Sequence, residues 1–125
     1  MPTIIFGAEA GFFSEKILPL LKPDGFVALI FPGWKAPLPS PTPPELLLSW
    51  TEEDLTTFQP IQWWKKLFEQ EKHTRLLSIT ELSCADDAWA DWLATNNPYA
   101  IGDRPSMENG AGKYMNFIFL KACHE

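Results

Sequence analysis

The sequence predicts a single α/β domain, and three observations carry that expectation. Amphipathic helical stretches alternate with strand-like runs, the order of a layered α/β fold. One of those runs, Phe26 to Phe31, reads FVALIF, six apolar residues between turn signals, as expected for a strand covered on both faces. A length of 125 residues leaves room for one domain, spanning 1–125. With 46% hydrophobic and 21% charged residues, the chain has the composition of a protein that folds around a core.

The short TIIF run, Thr3 to Phe6, is a candidate edge strand. In Glu9 to Leu21, residues Phe13, Ile17, Leu20 and Leu21 recur at helical spacing, with Pro19 removing one donor within the span. Lys22-Pro23-Asp24-Gly25 stops that helix and turns the chain into FVALIF. Burying the side chains of FVALIF at about 1.5 to 3 kcal/mol each is worth on the order of 10 kcal/mol, comparable with the stability of a whole domain. Leaving its edge and one face bare forfeits much of that, so this strand is expected to be covered by something.

Six of the twelve prolines fall between Pro32 and Pro44, which predicts a long loop over 32–44. A polyproline ligand is the other reading of Pro37 to Pro44, and loop stiffening is preferred. Pro60 then opens a helix to Gln70, with Ile61, Trp64, Leu67 and Phe68 on one face and Lys65, Lys66 and Glu69 facing water. His73 to Leu82 reads as a strand with one wetter side. Ser83 is the expected cap of a helix carrying Ala85, Ala88, Trp89, Trp92 and Leu93 on its apolar face, with Asp86 and Asp87 at its positive end. Asn96-Asn97-Pro98 is read as the end of that helix. A loop containing Gly102, Pro105, Gly110 and Gly112 then leads to a last strand, Tyr114 to Ala122.

Sixteen acids against ten bases give a net charge of −6, which disfavours nucleic acid and anionic lipid surfaces as partners. No apolar run approaches the roughly 20 residues that span a bilayer, and the N-terminus has no basic segment ahead of an apolar one, so a cytoplasmic protein is expected. Cys84 and Cys123 stand far apart and read as small packing residues, neither a disulfide scaffold nor a zinc ribbon. Asp86, Asp87 and Asp91 fit helix-end charge preference and solvent, so no metal is assigned. His73 suits a helix C-terminus and His124 is expected to be mobile near the chain end. No nucleophile stands beside either histidine, no GxSxG elbow occurs, and no catalytic residue is assigned.

Two segments carry a family resemblance. LLKPDGFVALIFPG, Leu20 to Gly33, resembles the helix end, Lys-Pro-Gly-Gly turn and fifth strand of Rossmann-like S-adenosylmethionine-dependent methyltransferases, with Asp24 in place of the first glycine. WTEEDLTTFQPIQWWKKLFEQ, Trp50 to Gln70, followed by the Trp-rich helix and KYMNFIFLKA, Lys113 to Ala122, resembles the C-terminal half of small bacterial enzymes of that kind. The Phe-Gly pair before Ala8 looks like the close of a fourth-strand segment. The resemblance implies a partial seven-stranded sheet: this chain supplies the fifth, sixth and seventh strands, the last antiparallel and inserted between the other two.

In such proteins a glycine-rich turn after the first strand and an acidic residue after the second hold the cofactor. Neither is found here: Gly110 and Gly112 precede a strand, and Gly112-Lys113 lacks the spacing of a phosphate loop. The resemblance therefore implies a C-terminal half without its cofactor-binding half, and a lone chain that does not bind S-adenosylmethionine tightly. It also implies an acceptor pocket after the fifth strand, for which Trp34, Lys35, Trp50, Phe58 and Trp63 are the candidates; Trp64, on the helix's apolar face, is read as core. Trp34 leads because it follows the carboxyl end of the apolar strand, where open α/β sheets place ligands.

Two classes of function follow. One is methyl transfer to a small molecule, carried out with a complementary half supplied by a separate polypeptide. The other is a non-catalytic module that pairs Phe26 to Phe31 with a second copy, as a homodimer, or with another chain.

Overall fold

The computed structural model describes residues 11–125. Thr3 to Phe6, the Phe6-Gly7 pair and the first residues of the predicted Glu9 to Leu21 helix lie outside the described residues. Three strands, β1 (Phe26–Trp34), β2 (Thr74–Glu81) and β3 (Met115–His124), form one sheet in the order β1-β3-β2. The last strand is antiparallel to both neighbours, in register from Phe26↔Cys123 to Trp34↔Met115 on one side and from Thr74↔His124 to Glu81↔Ile118 on the other. Hence β1 and β2 run parallel to each other with β3 between them. A shift between Leu76 and Ser78 leaves Leu77 as an extra residue in β2, a bulge on the sheet's edge.

Two apolar cores lie on opposite faces of this sheet. Strand alternation sends Phe31, Ile118, Leu120 and Ala122 to one face, where they meet Trp64, Leu67 and Phe68 of α2 (Ile61–Gln70). Phe31 contacts Trp64 with ring centroids 4.8 Å apart, and Phe13 meets Phe68 edge-on at 4.9 Å. Burial of Leu67 and Phe68 stabilises by about 1.5 to 3 kcal/mol each, which fixes α2 on the sheet. Trp34 and Met115, partners across the ladder, point to the other face. There they join Leu46, Trp50, Phe58 and Trp89 in the second core.

That second core covers only one end of its face. Phe26, 56% exposed, and Ile30, 61% exposed, share the face with Trp34 but lie beyond its reach. Lys121 of β3 lies over this bare end, its ammonium 5.5 Å from the Phe26 ring centre and 5.8 Å from that of Phe119. FVALIF is therefore covered on one face, not two. The strand also runs on through Pro32 and Gly33 to Trp34, so the proline-rich loop begins later than predicted. Among the described residues no strand pairs with the outer edge of β1; a single parallel bridge, Trp34 to Pro60, touches its carboxyl end.

Several local expectations are corrected. The first helix is a π-helical turn, Phe13–Ile17, continued by a 3-10 turn, Leu18–Leu20. Leu18 is buried and Leu20 is 80% exposed, because the tighter turn around Pro19 rotates the apolar face by one position. A further 3-10 turn, Pro44–Leu48, closes the proline-rich loop, and a short α1 (Glu52–Leu55) follows, opened by a Thr51–Asp54 capping box. The helix α3 (Ala85–Leu93) has Cys84 at its N-cap and no side-chain cap from Ser83; Cys84 is exposed and does not pack.

The largest difference is α4 (Pro98–Glu108), where the glycines and Pro105 predict a loop. Asn97-Pro98 starts a helix: the Asn97 side chain accepts from the Tyr99 amide at 2.9 Å, and proline fits the first turn. Ala100, Asp103 and Ser106 then bury one face at three-residue spacing. Ser106 and Ser49 exchange amide-to-hydroxyl bonds of 2.9 and 3.0 Å, and the Ser106 hydroxyl donates to Leu46 O at 3.1 Å. Pro105 stays on the exposed side, where its missing donor is tolerated. His124 is held in β3 with Nε2 3.2 Å from Leu21 O, so it is not a mobile end. His73 takes a left-handed φ of 61° at the turn into β2.

Candidate functional site

A cleft opens where β1 ends, between the start of the proline-rich loop and the first turns of α2. Its geometry starts at Gly33. A β-carbon there would stand 2.4 Å from Ile118 Cδ1 and 2.7 Å from Gln59 O, so only glycine lets the Gln59-Pro60 segment lie against the strand. The Trp34 amide donates to Gln59 O at 3.4 Å, and the Lys35 amide donates to Tyr114 O at 2.8 Å. Those two bonds fix the exit of the chain from the sheet.

The Trp34 indole is buried edge-on against Phe58, centroids 5.5 Å apart, and its N–H donates to Leu55 O at 3.3 Å. Phe58 in turn meets Trp50 edge-on at 6.3 Å. A cavity of about 390 Å³ lies in front of these rings, walled by Trp34, Leu38, Leu55, Phe58 and Trp63 and bordered by Lys66. A second cavity, of about 490 Å³, shares Pro37, Pro60 and Gln62 with the first and carries Lys35, Lys65 and Glu81. Each has the size of an ordinary small-molecule site.

Of the five residues the sequence suggests, Trp63 presents surface to the first cavity, Trp34 and Phe58 border it from the buried core, and Lys35 lines the second. Trp50 stands behind the wall. It is buried, and its indole N–H donates to Asp103 Oδ1 at 3.0 Å. Trp64 packs into the α2 core, as expected. Leu38, Gln59, Gln62 and the lysines of α2 also line the two cavities, and no sequence motif marks them. Lys65 and Lys66 do face water, but the water they face is that of the cleft mouth; nothing in helical periodicity separates a solvated face from a cleft rim.

Two polar arrangements support the walls. Asn116, buried in β3, donates through Nδ2 to Glu81 Oε1 at 2.7 Å and to Trp34 O at 3.4 Å, holding the ends of β1 and β2 together; its Oδ1 has no partner among the described residues. Tyr114 donates its hydroxyl to Glu45 Oε1 at 2.8 Å, and the Lys113 ammonium lies 3.4 Å from that oxygen. Glu45 has its carboxyl below the usual value, first through its own backbone amide and then through Tyr114 and Lys113. The Tyr114 hydroxyl is pushed up, chiefly by its bond to Glu45 and then by burial.

Among the described residues no group of three or more His, Cys, Asp or Glu is placed to hold a metal ion, and no helix is long and apolar enough to cross a membrane. No glycine turn there follows a strand; Gly110 and Gly112 lie between α4 and β3. The chain matches no family model, no curated protein and no solved structure.

Proposed function

We propose that this chain is the acceptor-side half of a Rossmann-like S-adenosylmethionine-dependent methyltransferase, completed through the outer edge of β1. The observation that carries the reading is the sheet order: a last strand inserted antiparallel between two parallel strands, with α2 on the path between those two. This is the order the resemblance implies for the fifth, seventh and sixth strands. The cleft lies at the carboxyl end of the strand in the fifth position, where ligands of open α/β sheets bind.

The described residues do not fit the cofactor, because none forms a glycine turn after a strand to admit its methionine part. Its binding is assigned to the complementary half, and no step through it is drawn on this chain. What these residues contribute is alignment of the acceptor, the main demand of methyl transfer to an already nucleophilic atom. Co-expression with the product of the adjacent upstream reading frame tests this. The expected result is a complex that binds S-adenosylmethionine in calorimetric titration while the chain alone stays silent. A chain that forms no complex and gives no signal in either titration overturns it.

A second reading, a non-catalytic homodimer, is favoured by the exposed Phe26 and Ile30 beside a strand edge with no partner strand among the described residues. Such edges pair readily, and two copies of one strand meeting about a two-fold axis pair antiparallel.

A further inference from the structure

We infer that the cleft at the end of β1 takes a planar aromatic acid, its ring against the half-buried Trp63 and Leu38 and the exposed Pro37, and its anionic group toward the lysines at the mouth. This rests on the reading of the cleft as an acceptor site and names the class of acceptor. The first cavity offers aromatic and aliphatic walls to a flat apolar body, with Gln59, Gln62 and Lys66 as its polar groups. Across both cavities three lysines, Lys35, Lys65 and Lys66, stand against one carboxylate, Glu81. In a chain of net charge −6 that local excess of positive charge runs against the overall balance. Glu81 is turned to Asn116, which donates to it at 2.7 Å. The first turn of α2 also opens on the cleft at Pro60, Ile61 and Gln62. It carries no acidic residue, whereas the first turn of α1 holds Glu52, Glu53 and Asp54.

The test is a pair of probes of similar shape, 2-naphthoate and the neutral 2-naphthylmethanol, titrated into the full chain by calorimetry and tryptophan fluorescence. Naphthoate is expected to bind about tenfold more tightly, the sum of several exposed charge contacts. The gap is expected to close in the double variant Lys65→Gln, Lys66→Gln and to shrink in molar salt, while Trp63→Leu weakens both probes alike. The lysines are exposed, so the double variant retains the fold, which its unfolding curve checks. Equal affinity for the two probes, no binding of either, or naphthoate binding unchanged in the lysine variant each overturns the inference. Titration of S-adenosylmethionine into the complex of the two halves reports separately on the methyltransferase reading, so the two can fail independently.

Discussion

Gly33 lies so close to Gln59 that a β-carbon on it would stand 2.7 Å from the Gln59 carbonyl oxygen. Gly33→Ala must therefore displace either the backbone of the α1–α2 connection or Ile118 in the core. Overpacking of this kind costs about 1 to 3 kcal/mol. The urea midpoint of the variant is expected to fall with the slope unchanged, and binding in the cleft to weaken with it, because Trp34 and Pro60 are no longer held in register. An unchanged midpoint would show that the connection is not seated on β1.

Asp103 holds two indoles at once, accepting from Trp50 through one oxygen at 3.0 Å and from Trp92 through the other at 2.9 Å. The first bond is buried and the second part-buried, and together they join α3 and α4 to the wall behind the cleft. Asp103→Asn turns one acceptor into a donor facing an indole N–H. A loss of about 2 to 4 kcal/mol and a red shift of tryptophan emission are expected, measured by denaturation and fluorescence. A variant as stable as the parent would mean that the two rings are held by packing alone.

Glu45 and Tyr114 make stability depend on pH at both ends of the range. The Glu45 carboxyl is held below its ordinary 4.5 in the folded chain, so its contribution is present above 4.5 and is lost as pH falls through the lowered value. The Tyr114 hydroxyl is held above its ordinary 10.0, so its contribution is present below 10.0 and is lost as pH rises through the raised value. Tyr114→Phe removes the shared bond. The stability difference between parent and variant is expected to be flat near neutrality and to narrow at both extremes. A difference that does not change with pH contradicts the assignment.

The three strands and the helices α2 and α3 were legible in the sequence because periodicity records burial directly: α2 shows its buried face as Trp64, Leu67 and Phe68, and β3 its branched and aromatic content. What was not legible depended on distant partners. FVALIF reads the same whether or not its second face is covered, and only tertiary packing leaves Phe26 and Ile30 exposed. Asn97-Pro98 serves equally as a stop for α3 and a start for α4. The decision lies in Ser106 meeting Ser49 across 57 residues. In the site, Trp34 was found from its position after the strand, Phe58 and Trp63 from the resemblance and their aromatic character. Trp50 has the same character, but its hydrogen bond to Asp103, 53 residues away, fixes it behind the wall.

Central to the account is the outer edge of β1, offered with Phe26 and Ile30 to a strand from another chain. Ile30→Lys places a charge on the bare face while leaving the core side of the strand untouched. Sedimentation velocity of the parent at micromolar concentration is expected to report an associated species, and the variant a folded monomer. A parent that sediments as a monomer, unfolds cooperatively, and stays a monomer when co-expressed with the product of the adjacent upstream reading frame would contradict it.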